Sequence, residues 1–199
     1  GNPNAFTFPD GLTLEPEGYL VVQCDAASTE DAVAKFGLGR NGETLILLNP
    51  AGLTIDVFRY GPQASGFSVG RISGKAELTF PTPGEVNAVA PIGSGSSLVI
   101  NEWLADAEPG LSDWLEIHNT DLQLPISLRG FFLGVSNQVF EITSAVFVAP
   151  GGHVQLFADE SPDANSVDFK PPASGETIRL LDAAGNLLTS VFYDQQEEA

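Results

Sequence analysis

The 199-residue sequence is poor in basic residues and almost without sulfur: 8 Lys and Arg stand against 26 Asp and Glu, for a formal net charge of −18, with one cysteine and no methionine. Cys24 has no partner for an internal disulfide, so the usual staple of a small secreted scaffold is missing. The acidic balance repels a phosphate backbone and an anionic bilayer, which argues against nucleic acid as a partner. No apolar run approaches the ~20 residues of a spanning helix, and no basic segment followed by an apolar stretch opens the chain, so membrane insertion is not expected. A start at Gly-Asn-Pro without any methionine reads as a processed or engineered piece, with Gly1 as a tag scar and any signal peptide already removed.

What is present is apolar and heavily punctuated: 43% hydrophobic and 17% charged residues, with 21 Gly and 14 Pro. That profile favours short strands joined by turns over long helices. The length fits one large domain or two of about 100 residues, and either size buries a real core. The one helical signal is Ser28-Thr29-Glu30-Asp31, which predicts a short turn running to Phe36.

The chain repeats itself. Residues 42–52, Gly-Glu-Thr-Leu-Ile-Leu-Leu-Asn-Pro-Ala-Gly, align without a gap on residues 175–185, Gly-Glu-Thr-Ile-Arg-Leu-Leu-Asp-Ala-Ala-Gly, and the register continues from Tyr60 and Gln63 to Tyr193 and Gln196. Upstream, after a slip of one residue, 18–25 align on 152–159. In each copy an apolar run ends at a Gly turn, where a positive φ is cheap, and a second strand follows; this predicts the same β-hairpin twice. Residues 18–24 and 152–158 read as further strands. The second copy has an opening section with candidate strands at 98–105, 114–118 and 130–135, to which the first has no counterpart. The expected organisation is therefore a partial domain at 1–88 lacking its N-terminal strands, a small-residue linker at 89–96 and a complete domain at 97–199, like a window cut from an array.

The phrase Leu98-Val99-Ile100-Asn101-Glu102-Trp103-Leu104-Ala105, then Asp113-Trp114-Leu115-Glu116-Ile117-His118-Asn119 and Ile126-Ser127-Leu128-Arg129-Gly130-Phe131-Phe132-Leu133, resembles the opening of a bacterial lamin-tail domain. Ser68-Val69-Gly70-Arg71 with Thr82-Pro83-Gly84-Glu85-Val86-Asn87 is similar to that family's closing segment. The resemblance implies an all-β, immunoglobulin-like sandwich, and in bacteria a module of large, often secreted, multidomain proteins whose chemistry resides in other domains. Half a sandwich exposes its inner face and open edges, so residues 1–87 are expected to pack on the second domain or on another chain, as a homo-oligomer or by strand exchange.

Carboxylates recur on equivalent loops: Asp25, Glu30 and Asp31 after one strand, Asp159, Glu160, Asp163 and Asp168 after its repeat, with Asp106, Glu108 and Asp113 as a third set. Calcium takes several loop oxygens, which makes Asp25, Asp31, Asp159, Asp163 and Asp168 its candidates, but no spacing matches an EF-hand, and solvated carboxylates are the plainer reading. No cofactor is expected. Gly37-Leu38-Gly39-Arg40-Asn41-Gly42 matches the dinucleotide glycine pattern in letters, yet a strand follows where the fingerprint needs a helix, so it reads as a loop. His118, His153 and Cys24 lack metal-ligand or triad spacing; Cys24 reads as a small core residue and the histidines as structural or surface groups. There is no strand-turn-helix Gly-x-Ser-x-Gly, and Gly93-Ser94-Gly95-Ser96-Ser97 reads as linker. Of the two tryptophans, Trp114 shares an apolar run more cleanly than Trp103 does with Val99 and Asn101, and at least one of them is expected in the core.

These features lead to the expectation of a non-catalytic structural or protein-interaction module, an adhesion or spacer unit in an extracellular or cell-envelope protein, with a protein or glycan ligand. A carbohydrate-binding module using exposed aromatics such as Tyr19, Tyr60, Trp103 or Tyr193 is the alternative, and a carboxylate-based hydrolase domain a more distant one.

Overall fold

The computed structural model describes residues 6–30, 33–136, 138–160 and 163–196. Among these residues every regular element is a strand apart from one 3-10 turn at Gly95–Ser97. In chain order the strands are β1 (Glu43–Leu48), β2 (Thr54–Tyr60), β3 (Ser68–Ile72), β4 (Lys75–Phe80), β5 (Ala88–Val89), β6 (Leu98–Leu104), β7 (Asp113–Asn119), β8 (Ile126–Ser127), β9 (Phe132–Val135), β10 (Gln138–Glu141), β11 (Phe147–Val148), β12 (His153–Ala158), β13 (Ser166–Val167), β14 (Gly175–Leu181) and β15 (Leu187–Asp194).

Two four-stranded sheets, β13-β12-β7-β6 and β10-β9-β14-β15, face each other as a sandwich, with β8 and β11 pairing beside them. Strict alternation along β7 explains its place: Leu115 and Ile117 point into the core, while Trp114, Glu116 and His118 point outward. Leu156 of β12, Leu133 of β9, Ile178 and Leu180 of β14 and the ring of Phe169 complete a continuous buried cluster. Burying each such side chain stabilises the fold by roughly 1.5–3 kcal/mol relative to leaving it in water.

A β-bulge between Ile100 and Glu102 inverts the alternation of β6. Leu98 and Ile100 face the core before it, and Trp103 faces the core after it. Of the two tryptophans, at least one of which is expected in the core, it is Trp103 that joins it: its ring packs against Tyr193, with centroids 5.7 Å apart, while Trp114, whose apolar run is the cleaner, lies half-buried on the outer face beside Phe157.

The N-terminal segment forms a second, smaller core. Tyr60, Ala64, Leu78 and Ala90 bury themselves together with Ala145 and Phe147 from the sandwich. Backbone joins the two parts: Gly61 donates to the Ala145 carbonyl at 3.0 Å, and Phe147 donates to that of Pro62 at 3.1 Å. Residues 88–89 pair with β4 at Thr79 and Phe80, and the amide of Gly93 donates to the Pro125 carbonyl at 2.8 Å, so the 89–96 stretch is held at both ends.

Two further expectations are corrected here. Residues 18–24 form no strand; the contact there is an isolated parallel bridge, Cys24 to Ala34, which matches the Ala158 to Val167 pairing of β12 with β13. Beside β12 lies β7, whereas among the described residues no strand lies beside 18–24, and a lone extended segment cannot satisfy its backbone as a ladder. No helical turn follows Ser28 in the described residues: its hydroxyl accepts from the Glu30 amide at 3.1 Å, a local bond that competes with helix, and the chain bends back to pair Ala34 with Gln23 and Asp25.

Candidate interaction surface

The matched sequence blocks become matched hairpins. Glu43 pairs with Tyr60 as Glu176 pairs with Tyr193, and both ladders carry a bulge at the same place, Leu47/Leu48 and Leu180/Leu181. Both turns are organised alike: Asn49 Oδ1 accepts from Ala51 and Leu53, and Asp182 Oδ1 accepts from Ala184 and Asn186. Gly52 and Gly185 stand at φ 78° and 82°, where a side chain would be strained. Hydrogen bonds from Asn186 and the turn amides hold the Asp182 carboxyl below its usual range, the side-chain bond of Asn186 first among them.

The surroundings of the two hairpins differ. β14 lies between β15 and β9, whereas β1 pairs with β2 and, among the described residues, with no other strand. In the second hairpin Arg179 Nη2 donates to the carbonyls of Val135 (3.1 Å) and Ser136 (2.8 Å), and the Ser136 hydroxyl donates to Glu176, which fastens β9 and β10 to β14. In the first hairpin Ile46 stands where Arg179 stands in the second, and Glu43 accepts from the Tyr60 hydroxyl and the Gly39 amide. Leu47 matches the fully buried Leu180 yet is 40% exposed, and its neighbours Ile46 and Val57 are 58% and 47% exposed on the opposite face. The first hairpin therefore carries apolar side chains towards solvent on both faces, next to an edge that contains neither Lys nor Pro. Such an edge is a template for another strand.

The outer face of the β6-β7-β12 sheet is a second surface. His118 and His153 meet across β7 and β12 and stack, with centroids 4.1 Å apart and planes 18° from parallel. Asn101, displaced by the bulge, donates to Glu116 at 2.7 Å. Spacing in sequence gave no sign of this histidine pair, because it depends on the register of β7 with β12.

The aromatic candidates separate sharply. Tyr60 and Tyr193 are buried at the ends of their hairpins, and Trp103 covers the core, so none of the three offers an open ring face for stacking; Tyr19, at 52% exposure, does. Burial pushes the Tyr60 and Tyr193 hydroxyls up to about 12, with the charge of Glu43 adding to the first and those of Glu176 and Asp113 to the second.

The carboxylate candidates among the described residues do not converge. Asp25 accepts from the Ala27 amide and Asp163 from the Ala164 amide, both local turns, and Asp168 is exposed. Asp159 makes interactions of its own, and Asp31 lies outside the described residues. Among the described residues no three His, Cys, Asp or Glu side chains are grouped to hold a metal ion. Asp113 is the exception to exposure: it is buried, accepts from the Ala107 amide at 3.0 Å and faces Lys170 Nζ at 3.7 Å. Cys24 is half-buried, and residues 37–42 form a loop entering a strand.

Two facing sheets with this connectivity define an immunoglobulin-like β-sandwich. A family model for the lamin tail domain matches residues 92–195, just over half of the chain, and the chain belongs to that family. No curated protein and no solved structure matches it.

Sequence reasoning did not single out Ile46, Leu47 and Val57 as surface residues. The signal was available: at matched positions of the two hairpins, Ile46 replaces Arg179 and Val57 replaces Ser190, so the first hairpin has lost the polar face of the second.

Proposed function

We propose that this chain is a non-catalytic structural or protein-interaction module of a larger secreted or cell-envelope protein, and that it joins to other modules by strand pairing on β1. The observation that carries the reading is the apolar edge of the first hairpin, which pairs with no strand among the described residues, set against its twin, whose equivalent edge is occupied by β9. An added strand satisfies the free backbone groups of β1 while its side chains cover Ile46 and Leu47, so main-chain bonds supply affinity and side-chain fit supplies selectivity. Membership of the lamin tail domain family, whose fold is immunoglobulin-like, is compatible with the same reading. A second copy of the chain is the simplest partner, because an isologous antiparallel pairing of two β1 edges closes a dimer.

Sedimentation over a wide concentration range tests this. Concentration-dependent association that Leu47→Lys abolishes, with the circular dichroism spectrum retained, is expected. A monomer at every concentration, indifferent to that substitution, would speak against β1 as the joining edge.

A further inference from the structure

Lys and Arg number 8 in the whole chain, and four of them gather where the N-terminal segment meets the sandwich. Arg59, Arg71 and Arg129 line a cleft of about 170 Å³. Lys75 and Arg129 line an adjoining groove of about 480 Å³, with Ala76 as a wall common to both. Strands β2, β3 and β4 thus bring together with the 129–145 region side chains that are scattered in sequence.

The four cations are not equivalent. Arg71 is committed: its Nη2 donates to Asp56 at 2.8 Å and to the Val57 carbonyl at 3.1 Å, and its guanidinium lies 5.3 Å from the centre of the Phe58 ring. The same bond holds the Asp56 carboxyl below its usual range. Arg129 is anchored, with Nη1 donating to the Ala76 carbonyl at 3.3 Å, but it has no carboxylate partner among the described residues. Arg59 and Lys75 likewise make no ion pair there. Two arginines without an ion pair, Arg59 and Arg129, thus line the cleft, and together they form a local well of positive potential on a chain that is otherwise strongly acidic.

We propose that this cleft binds a carboxylate carried by a short acidic peptide segment, with aliphatic neighbours of that carboxylate lying in the adjoining groove. Guanidinium groups match a carboxylate through paired N–H donors, and Arg59 and Arg129 both have donors to spare. The wider groove supplies Ile92 and Phe131 for apolar contact, and it also contains Glu77, which the narrow cleft does not. The anionic group therefore belongs in the cleft and the apolar one in the groove. A long polyanion such as a sulfated glycan or a nucleic acid fits less well: the −18 charge of the surrounding chain repels every part of it that extends beyond the cleft.

Titration of the isotopically labelled chain with the capped peptide acetyl-Leu-Glu-Leu-amide, followed at the arginine side-chain Nε–H signals, tests the proposal. Saturable shifts at Arg59 and Arg129 are expected, with affinity falling as salt is raised. Replacing the peptide's glutamate by glutamine should weaken binding by about ten-fold, and Arg129→Gln or Arg59→Gln should do the same, since both side chains are exposed and dispensable for the core. Equal binding of the two peptides, the absence of any shift at millimolar peptide, or tighter capture of a heparin oligosaccharide than of the peptide would each overturn it.

Discussion

The hydroxyl of Tyr60 donates to the carboxylate of Glu43 at 3.3 Å, directly across the first hairpin. Its twin Tyr193 faces Glu176 in the same register but donates to the Pro172 carbonyl at 2.8 Å. Both phenols are buried, so an ionised ring would sit among carboxylates with little water.

That placement sets an alkaline limit on stability. The folded-state values of Tyr60 and Tyr193 are raised from 10.0 to about 12. The unfolded chain releases these protons first, so the contribution is complete below pH ~10 and declines between about 10 and about 12, by roughly 1.4 kcal/mol per pH unit for each phenol. Absorbance titration near 295 nm should show two of the three tyrosines ionising late, and Tyr60→Phe should remove one of the delayed steps.

Asn119 ends β7 fully buried, and its amide group ties three segments together. Nδ2 donates to the carbonyls of Leu124 (2.8 Å) and Ala149 (3.1 Å), and Oδ1 accepts from the Asp121 amide (2.9 Å). Asn119→Leu keeps the branched outline, though not the volume, and strands these groups, at a cost of about 2–3 kcal/mol. Urea unfolding should show the midpoint fall with little change in slope.

Gly61 sits at the junction of the two parts. A Cβ there would lie 2.5 Å from Val146 Cγ2 and 2.6 Å from the Ala164 carbonyl oxygen, so Gly61→Val must push the N-terminal segment off the sandwich. Limited proteolysis should then cut within residues 1–88 while a fragment containing 92–195 persists.

Arg179 links β14 to the turn after β9 through two carbonyls. Arg179→Ala should cost about 1 kcal/mol, since charged hydrogen bonds at a half-exposed site are partly replaced by water. Amide exchange should quicken in β9 and β10 before it changes in β7.

The hairpins were legible because register, turn glycines and apolar runs repeat locally, and β7 because its alternation runs unbroken from Asp113 to Asn119. That a tryptophan joins the core was legible, but not that it is Trp103, because one extra residue at the β6 bulge exchanges inward for outward and no local pattern around Asn101 announces it. The 18–24 segment has the sequence of a strand but not the neighbour that makes one. The surface features are legible last: the histidine stack and the basic cleft join residues far apart in the chain, and only the packed sheets bring them together.

The duplicated hairpin thus offers β9 two ladders of related sequence but unlike chemistry. On β14 the carbonyls of Val135 and Ser136 meet the guanidinium of Arg179, whereas the matching place on β1 holds Ile46, which has no donor to give them. One arginine at one register position therefore distinguishes a strand that accepts β9 from a near-copy that offers it only an apolar side chain.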